Sequence, residues 1–430
     1  MTGLIPASPE EIERDRNVPF NFTVNILDGA FFGMAFGFAS LTAVLPLFIS
    51  LMTDSAVWIG LIPAMHMVGW YLPQVFTAQG VARSAQFKPL VLRRTVLERV
   101  PFLGLVAVAW FLPGLGPKLG LLLTFLLMTC QGLGGGYTAT AWQSMVAKII
   151  PPRRWGFFFG IQAAAASLMG SVGVVAAGFI LEKFEPPLNY TLCFLLASLI
   201  LIISWFFLAM TREQKVAPPI VESHRPGFWR SVWGILRKDA NFRWFTVARI
   251  CFQLATMGFA FYSVYVVRQY DASESQVGIM TGVLTMTQML VHPLVGWLGD
   301  RWSHRMAMSV GSLAAVLSVG IAFSARSVAW FYPAFALAGI ANVTYWTNGM
   351  AMTLEFGRAE ERPMYVGLLN TLIGPTALLA PIFGGKLADL YGYPAAFAAS
   401  AVGGLLAMGM LVMAVRNPRK ARLAQVGAEG

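Results

Sequence analysis

The chain has 430 residues; 57% are hydrophobic, only 12% are charged, and the mean hydropathy is +0.64. A soluble domain carries about 25% charged residues, so this composition excludes an ordinary soluble fold and describes a chain that crosses a membrane many times. The formal charge of +11 would suggest nucleic acid in a soluble protein, but here the bases fall in loops between apolar runs. They are therefore topology signals, and no nucleic-acid partner is expected.

Residues 1–21 are polar, mix acids and bases and lack a cleavable signal sequence; they read as a cytoplasmic N-terminal tail. Apolar runs at about 22–48, 56–78, 95–113, 119–147, 156–181 and 190–210 predict an N-terminal six-helix bundle over 22–210. The polar, Pro-containing stretch 211–243 reads as a cytoplasmic linker. Runs at about 244–267, 276–298, 306–324, 328–354, 364–388 and 394–415 predict a second six-helix bundle over 244–415, and 416–430 is a cytoplasmic C-terminal tail. The expected fold class is an all-α polytopic membrane protein with twelve transmembrane helices in two pseudo-symmetric bundles.

Of the 31 Lys and Arg residues, 24 lie on the side of both termini and the linker, five lie on the other side, and Arg99 and Arg249 remain inside spans. That bias places both termini in the cytoplasm of a cell membrane. Cysteines introduced at Gly3 and Glu429 should resist an impermeant maleimide in intact cells, while one at Asp54 should react; labelling of either terminus contradicts this topology. The halves also read as repeats: Thr23/Thr246, Val24/Val247, Met34/Met257, Phe36/Phe259 and Phe38/Phe261 align without a gap, as do Gly160/Gly367 and Gly178/Gly385.

Residues for catalysis are sparse. The four histidines are His66, His224, His292 and His304, and the three cysteines, Cys130, Cys193 and Cys251, lie in apolar runs without metal or disulfide spacing. No nucleophile elbow, phosphate loop or paired-Cys motif occurs. No catalytic residue, metal or cofactor is expected, save coupling to a proton gradient, and an enzyme is the weaker reading.

The charged loop Gly296-Trp297-Leu298-Gly299-Asp300-Arg301-Trp302-Ser303-His304-Arg305 joins two apolar runs. So short a turn makes an antiparallel helical hairpin. Gly296 permits close helix approach, Asp300 falls near the N-terminus of the following helix, and Ser303 is a candidate N-cap. Taken alone, the loop reads equally as a stop-transfer anchor.

The loop resembles the motif between the eighth and ninth helices of the major facilitator superfamily: Gly, three residues, Asp, Arg or Lys, one residue, Gly, then two bases. Gly296, Asp300, Arg301 and Arg305 match, whereas Ser303 replaces a Gly and His304 replaces a base. Arg154 and Gly156 resemble the family's Arg-Gly after helix four, and 384–393 resembles the common end of helix eleven. The first-half counterpart at Ala78–Lys88 keeps Arg83 but has Ala82 in place of the acid. The resemblance implies alternating access, in which two bundles rock around a midplane site. It implies a cytoplasmic gate of Gly296, Asp300, Arg301, Arg305, Glu355, Arg358, Arg362, Arg83 and Arg154, with Asp300 pairing to Arg301, Arg305, Arg358 or Arg362, and Glu355 joining through Arg305.

In this family helices one, four, seven and ten line the cavity. On them lie Asn25 and Asp28; Tyr137, Trp142 and Gln143; Arg249 and Gln253; and Asn342, Tyr345 and Trp346. Asp28 lies too deep to snorkel. It reads as a substrate-cation or proton site, or as a structural carboxylate, with Arg249 as one candidate partner; Arg249 near a helix end could instead snorkel. As a coupling site, Asp28→Asn would abolish gradient-driven transport and keep exchange. The aromatic and amide residues suit an amphipathic solute or an interfacial belt. His66, His292, Gln162, Gln288 and Asn370 read as interhelical hydrogen-bonding groups. The expected function is secondary transport of a small organic solute, with proton-coupled efflux as the finer form, by a monomer in the bilayer. The alternatives are an uptake permease or uniporter, or a sensor of the same fold that does not transport.

Overall fold

In the computed structural model, residues 9–41, 43–53, 56–214 and 228–418 are described. The labelling positions Gly3, Asp54 and Glu429 lie outside them. The helices are α1 (Pro9–Phe38), α2 (Val44–Ser50), α3 (Ala56–Tyr71), α4 (Gln74–Ala82), α5 (Lys88–Arg94), α6 (Val96–Ile149), α7 (Trp155–Lys183), α8 (Leu188–Ala209), α9 (Phe228–Lys238), α10 (Ala240–Thr256), α11 (Tyr262–Tyr270), α12 (Glu274–Arg301), α13 (His304–Ser324), α14 (Phe331–Thr353), α15 (Arg362–Tyr391) and α16 (Tyr393–Gly409). No strand occurs among the described residues.

Nine helical stretches among the described residues are long and apolar enough to span a bilayer. One of them, Lys88–Ile149, is two spans, because the chain turns at Gly116, whose φ of 74° is in the region that favours glycine. With α1 and the α3–α4 pair, twelve crossings result, as composition and spacing led one to expect.

Three boundaries differ from the sequence reading. α1 begins at Pro9 rather than near 22: Pro fits the first turn of a helix. The first apolar run is interrupted after Phe38 and restarts as α2, where the Leu45 amide donates to the Ser40 carbonyl at 2.9 Å. The linker contains a helix, α9, with Trp229 and Trp233 exposed on one side and Val232 buried.

The helices form two compact units. The first holds described residues up to Pro152, then 165–214 and 359–367; the second holds 153–164, 228–358 and 368–418. Thus α7 gives its first turns to the second unit and α15 its first turn to the first. In the first unit α1 packs on α8, and α3 on α6; in the second α14 packs on both α12 and α13, and α16 on α10 and α13.

Each unit is closed by the same device, which the sequence reading did not find. Asn21 of α1 donates to the Arg212 carbonyl and accepts from the Arg212 amide, both at 2.8 Å. Asn241 of α10 does the same with Arg416, at 3.0 and 2.6 Å. An amide side chain on the first helix therefore satisfies both backbone groups of one residue beyond the last helix, groups that would otherwise be orphaned there. This reciprocal clasp supports the reading of two repeats.

Small residues set the helix spacing in the first unit. A Cβ on Gly33 would lie 2.2 Å from the Ala166 carbonyl oxygen, and one on Gly173 would lie 2.4 Å from that of Met34, so α1 and α7 touch backbone to backbone. Gly178 on the same helix has open space around it. Gly33→Ala should cost about 1–3 kcal/mol through forced separation of α1 and α7. Gly178→Ala should be neutral or slightly stabilising. Equal melting of both variants in a fluorescence-monitored thermal scan contradicts the packing argument.

Candidate functional site

The first unit encloses a cluster of charge. Asp28 on α1 accepts from the Ser204 hydroxyl of α8 at 2.6 Å and from Arg99 Nη2 of α6 at 3.3 Å. Arg99 Nη2 also donates to Ser204 Oγ at 3.0 Å, its Nε donates to the Leu201 carbonyl at 3.4 Å, and its Nη1 donates to the Thr95 hydroxyl. Both charged side chains are nearly buried, at 10% and 9% exposure. Thr95 in turn donates to Glu98 Oε2 at 3.3 Å. The guanidinium is thus shared among α1, α6 and α8, and it stacks 5.2 Å above Phe32.

Arg249 is therefore not the partner of Asp28. It sits in the second unit, where Nη1 donates to the Tyr345 carbonyl and the guanidinium lies 3.8 Å over the Tyr345 ring. Gly349 leaves room for it. Arg249 is buried, so it does not snorkel to water. The partner of Asp28 was in view in the sequence: Glu98-Arg99 is a charged pair one turn inside an apolar run, and each charge there needs a partner.

The remaining cavity-helix residues separate into smaller groups. Asn25 is buried and donates to the Asn21 carbonyl at 2.8 Å and Thr211 Oγ1 at 3.1 Å, so it belongs with the clasp. Tyr137 is exposed, with Arg94 4.2 Å above its ring. Trp142 and Gln253 are half-buried. Asn342 is half-buried on α14, and Trp346 packs edge-on to Tyr345 with centroids 5.7 Å apart. Gln143 Nε2 and Tyr345 Oη are buried with no hydrogen-bond partner among the described residues. A buried polar group left that way costs about 1–3 kcal/mol, and a bound solute or water relieves that cost. His66 on α3 bonds Gln131 at 2.8 Å, and His292 on α12 bonds Thr347 at 2.9 Å, as interhelical links.

The loop 296–305 carries a second ionic cluster. Gly296 lies against Gly156, where a Cβ would meet the Gly156 carbonyl oxygen at 2.1 Å. That contact brings the start of α7 to the end of α12, and Asp300 accepts the Gly156 and Phe157 amides at 3.0 and 2.6 Å. Asp300 thus serves the N-terminus of α7 rather than that of α13, and charge and dipole favour it there. Ser303 is the N-cap residue of α13 but makes no side-chain cap bond.

His304, fully buried, takes the connecting role expected of Arg305. Its Nε2 lies 3.3 Å from Asp300 Oδ1 and 3.6 Å from Glu355 Oε1. Its Nδ1 lies 2.8 Å from Asn348 Oδ1, and Asn348 Nδ2 donates to the Val295 carbonyl at 3.3 Å, which sets the direction of that amide. Both ring nitrogens therefore face oxygen atoms. Arg305 donates instead to the Val415 carbonyl at 2.7 Å, and Arg301 lies 5.5 Å from the Trp297 ring. Arg83, Arg154 and Arg358 are exposed, and Arg362 is half-buried. The acids here are buried, so the small energies of exposed ion pairs do not apply.

The chain is a polytopic helical protein of two units, each with buried charge inside it. The sequence profile of the Major Facilitator Superfamily matches residues 93–268 and 250–430, and the chain belongs to that family. Its fold is similar to the crystal structure of a bacterial homologue of the iron transporter ferroportin in an outward-facing state, with a TM-score of 0.75 at 13% identity over 91% of this chain and 98% of that one. Among curated relatives, the probable vesicular acetylcholine transporter-B of Danio rerio is 31% identical over 144 residues, 33% of this chain and 29% of that protein. The class C tetracycline resistance protein of Escherichia coli is 27% identical over 145 residues, 33% of this chain and 36% of that protein. The chain thus spans about a third of the curated relatives it matches. The family and fold are those of non-enzymatic carriers that bind small molecules within a membrane.

Proposed function

We propose that the protein is a secondary active transporter that exports a small organic cation across a cell membrane in exchange for protons, by alternating access, with both termini cytoplasmic. The observation that carries this reading is the first-unit cluster, which holds two carboxyl groups, Asp28 and Glu98, and one guanidinium, Arg99. An acidic excess away from water attracts either a proton or an organic cation. Competition between the two for one charge is the simplest exchange mechanism. The unpartnered Gln143 side chain of the first unit supplies a polar contact of the kind an amphipathic amine uses. The names of the two curated relatives, an acetylcholine transporter and a tetracycline resistance protein, support an organic solute and an outward direction.

The test is counterflow of radiolabelled tetraethylammonium in proteoliposomes. Saturable counterflow supports the reading. Binding seen as a thermal shift without counterflow identifies a sensor and overturns transport. Neither binding nor counterflow overturns the organic-cation assignment.

A further inference from the structure

We propose that Glu98, rather than Asp28, is the carboxyl group that takes up and releases the proton, and that Arg99 switches between the two acids as it does so. The inference deepens the proton-exchange reading above and rests on it for its role in transport.

Asp28 and Glu98 are both buried, at 6% residue exposure, yet they are served unequally. Asp28 receives the guanidinium and a hydroxyl through one oxygen. Glu98 receives one bond, a 3.3 Å donation from Thr95, and forms no salt bridge among the described residues. The donors of Arg99 are directed to Asp28, Ser204, Leu201 and Thr95, and none reaches Glu98. Because Thr95 accepts from Arg99, its own hydrogen is directed to Glu98. The groups therefore form one chain, Asp28–Arg99–Thr95–Glu98, with the cation at the Asp28 end.

One guanidinium neutralises one carboxylate. A second buried carboxylate without its own cation is costly, and a proton removes that cost. Among the described residues, the groups facing Glu98 leave no other source of charge. Its own helix supplies Arg99, committed to Asp28, and the preceding α5 ends in Arg94, committed to the Tyr137 carbonyl and ring. From α1 comes Asp28, a like charge. α8 supplies Ser204 to the cluster. From the later part of α6 and from α3 come Gly135 and Trp70, and Gly135 is the room that Glu98 occupies, since a Cβ there would lie 2.9 Å from Oε1 and 3.1 Å from the Trp70 ring.

The proton balance is simple. With Glu98 as the neutral acid, Arg99 stays with Asp28 and holds α1 to α8. Loss of the proton from Glu98 to water leaves two carboxylates competing for one guanidinium, that of Arg99, the next residue in the chain. Arg99 then moves toward Glu98 and frees Asp28 on α1 for an incoming cation. Reprotonation of Glu98 reverses the move and expels that cation. One proton is exchanged for one charge at each step.

The test uses the whole protein in lipid. A pH-difference infrared spectrum of the wild type should show a protonated-carboxyl C=O band that Glu98→Gln removes and Glu98→Asp shifts. Asp28→Asn, which frees Arg99 for Glu98, should weaken that band at the same pH. In proteoliposomes, Glu98→Gln, which holds Arg99 on Asp28 as the neutral acid does, should reduce both pH-gradient-driven tetraethylammonium accumulation and counterflow by about tenfold or more. Survival of the band in Glu98→Gln, or undiminished gradient-driven accumulation by Glu98→Gln, overturns the assignment. A wild type that shows the Glu98 band and counterflow but no gradient-driven flux keeps Glu98 as a proton site and overturns the exchange reading instead. Glu98→Asp keeps the test open should Glu98→Gln fail to fold.

Discussion

Arg99→Gln should destabilise the first unit by about 3–5 kcal/mol, the cost of leaving one member of a buried ion pair alone. Asp28 would keep only the Ser204 hydroxyl, and α6 would lose its donations to the Leu201 carbonyl and Thr95. The loss should appear as a lower melting temperature in detergent and a smaller folded yield. Adding Asp28→Asn should recover part of it, because the uncompensated carboxylate is then gone; double-mutant coupling between touching charges is commonly about 0.5–3 kcal/mol. Pairing with Arg249 would produce the opposite pattern, in which Asp28→Asn is rescued by a neutral residue at 249. Wild-type melting of Arg99→Gln contradicts the pair.

Asp300→Asn should slow flux by about tenfold or more, since hydrogen bonds to charged groups are worth about 1.5–3 kcal/mol and Asp300 accepts two from the start of α7. An asparagine in its place keeps one acceptor, loses the charge that complements the helix N-terminus and removes one carboxylate from His304. α7 belongs to the second unit only in its first turns, and the clamp acts on those turns. In a two-state carrier, a change of this size redistributes the states without touching the solute site. Tetraethylammonium affinity should therefore change by no more than about threefold while exchange slows. Unchanged flux removes Asp300 from the gating machinery. His304→Gln should weaken the same clamp by removing the group that bridges Asp300 and Glu355.

What could be read without coordinates was what depends on composition along the chain. Apolar runs near the length of a bilayer gave the twelve crossings, and the twin of Thr23–Phe38 in the second half announced the repeat. Gly296 was recognisable because close helix approach demands small residues at fixed places, and Gly156 through the family resemblance. What could not be read was which face each helix turns to its neighbours. These helices are apolar nearly all round, so hydropathy does not report their rotation. Asp28 and Ser204 are 176 residues apart, and Asp28 and Arg99 are 71 apart. Their meeting depends on that rotation, which is why Arg249 was named as a partner of Asp28 and Arg99 was not. Asp300 was placed at the wrong helix end for a similar reason: proximity in sequence favoured α13, whereas close packing at Gly296 and Gly156 brings α7 nearer. His304 was noted only as a departure from the family pattern, and its buried position between two carboxylates needed the fold.

Proton-coupled export is tested most directly by following both species in one vesicle. Wild-type protein is reconstituted with an entrapped pH dye, an acid lumen is imposed, and radiolabelled tetraethylammonium is added outside. Exchange requires saturable accumulation of the cation together with cation-dependent alkalinisation of the lumen, both abolished when the gradient is collapsed. Accumulation with no proton movement above that of empty vesicles would contradict coupling, and binding with no accumulation would contradict transport itself.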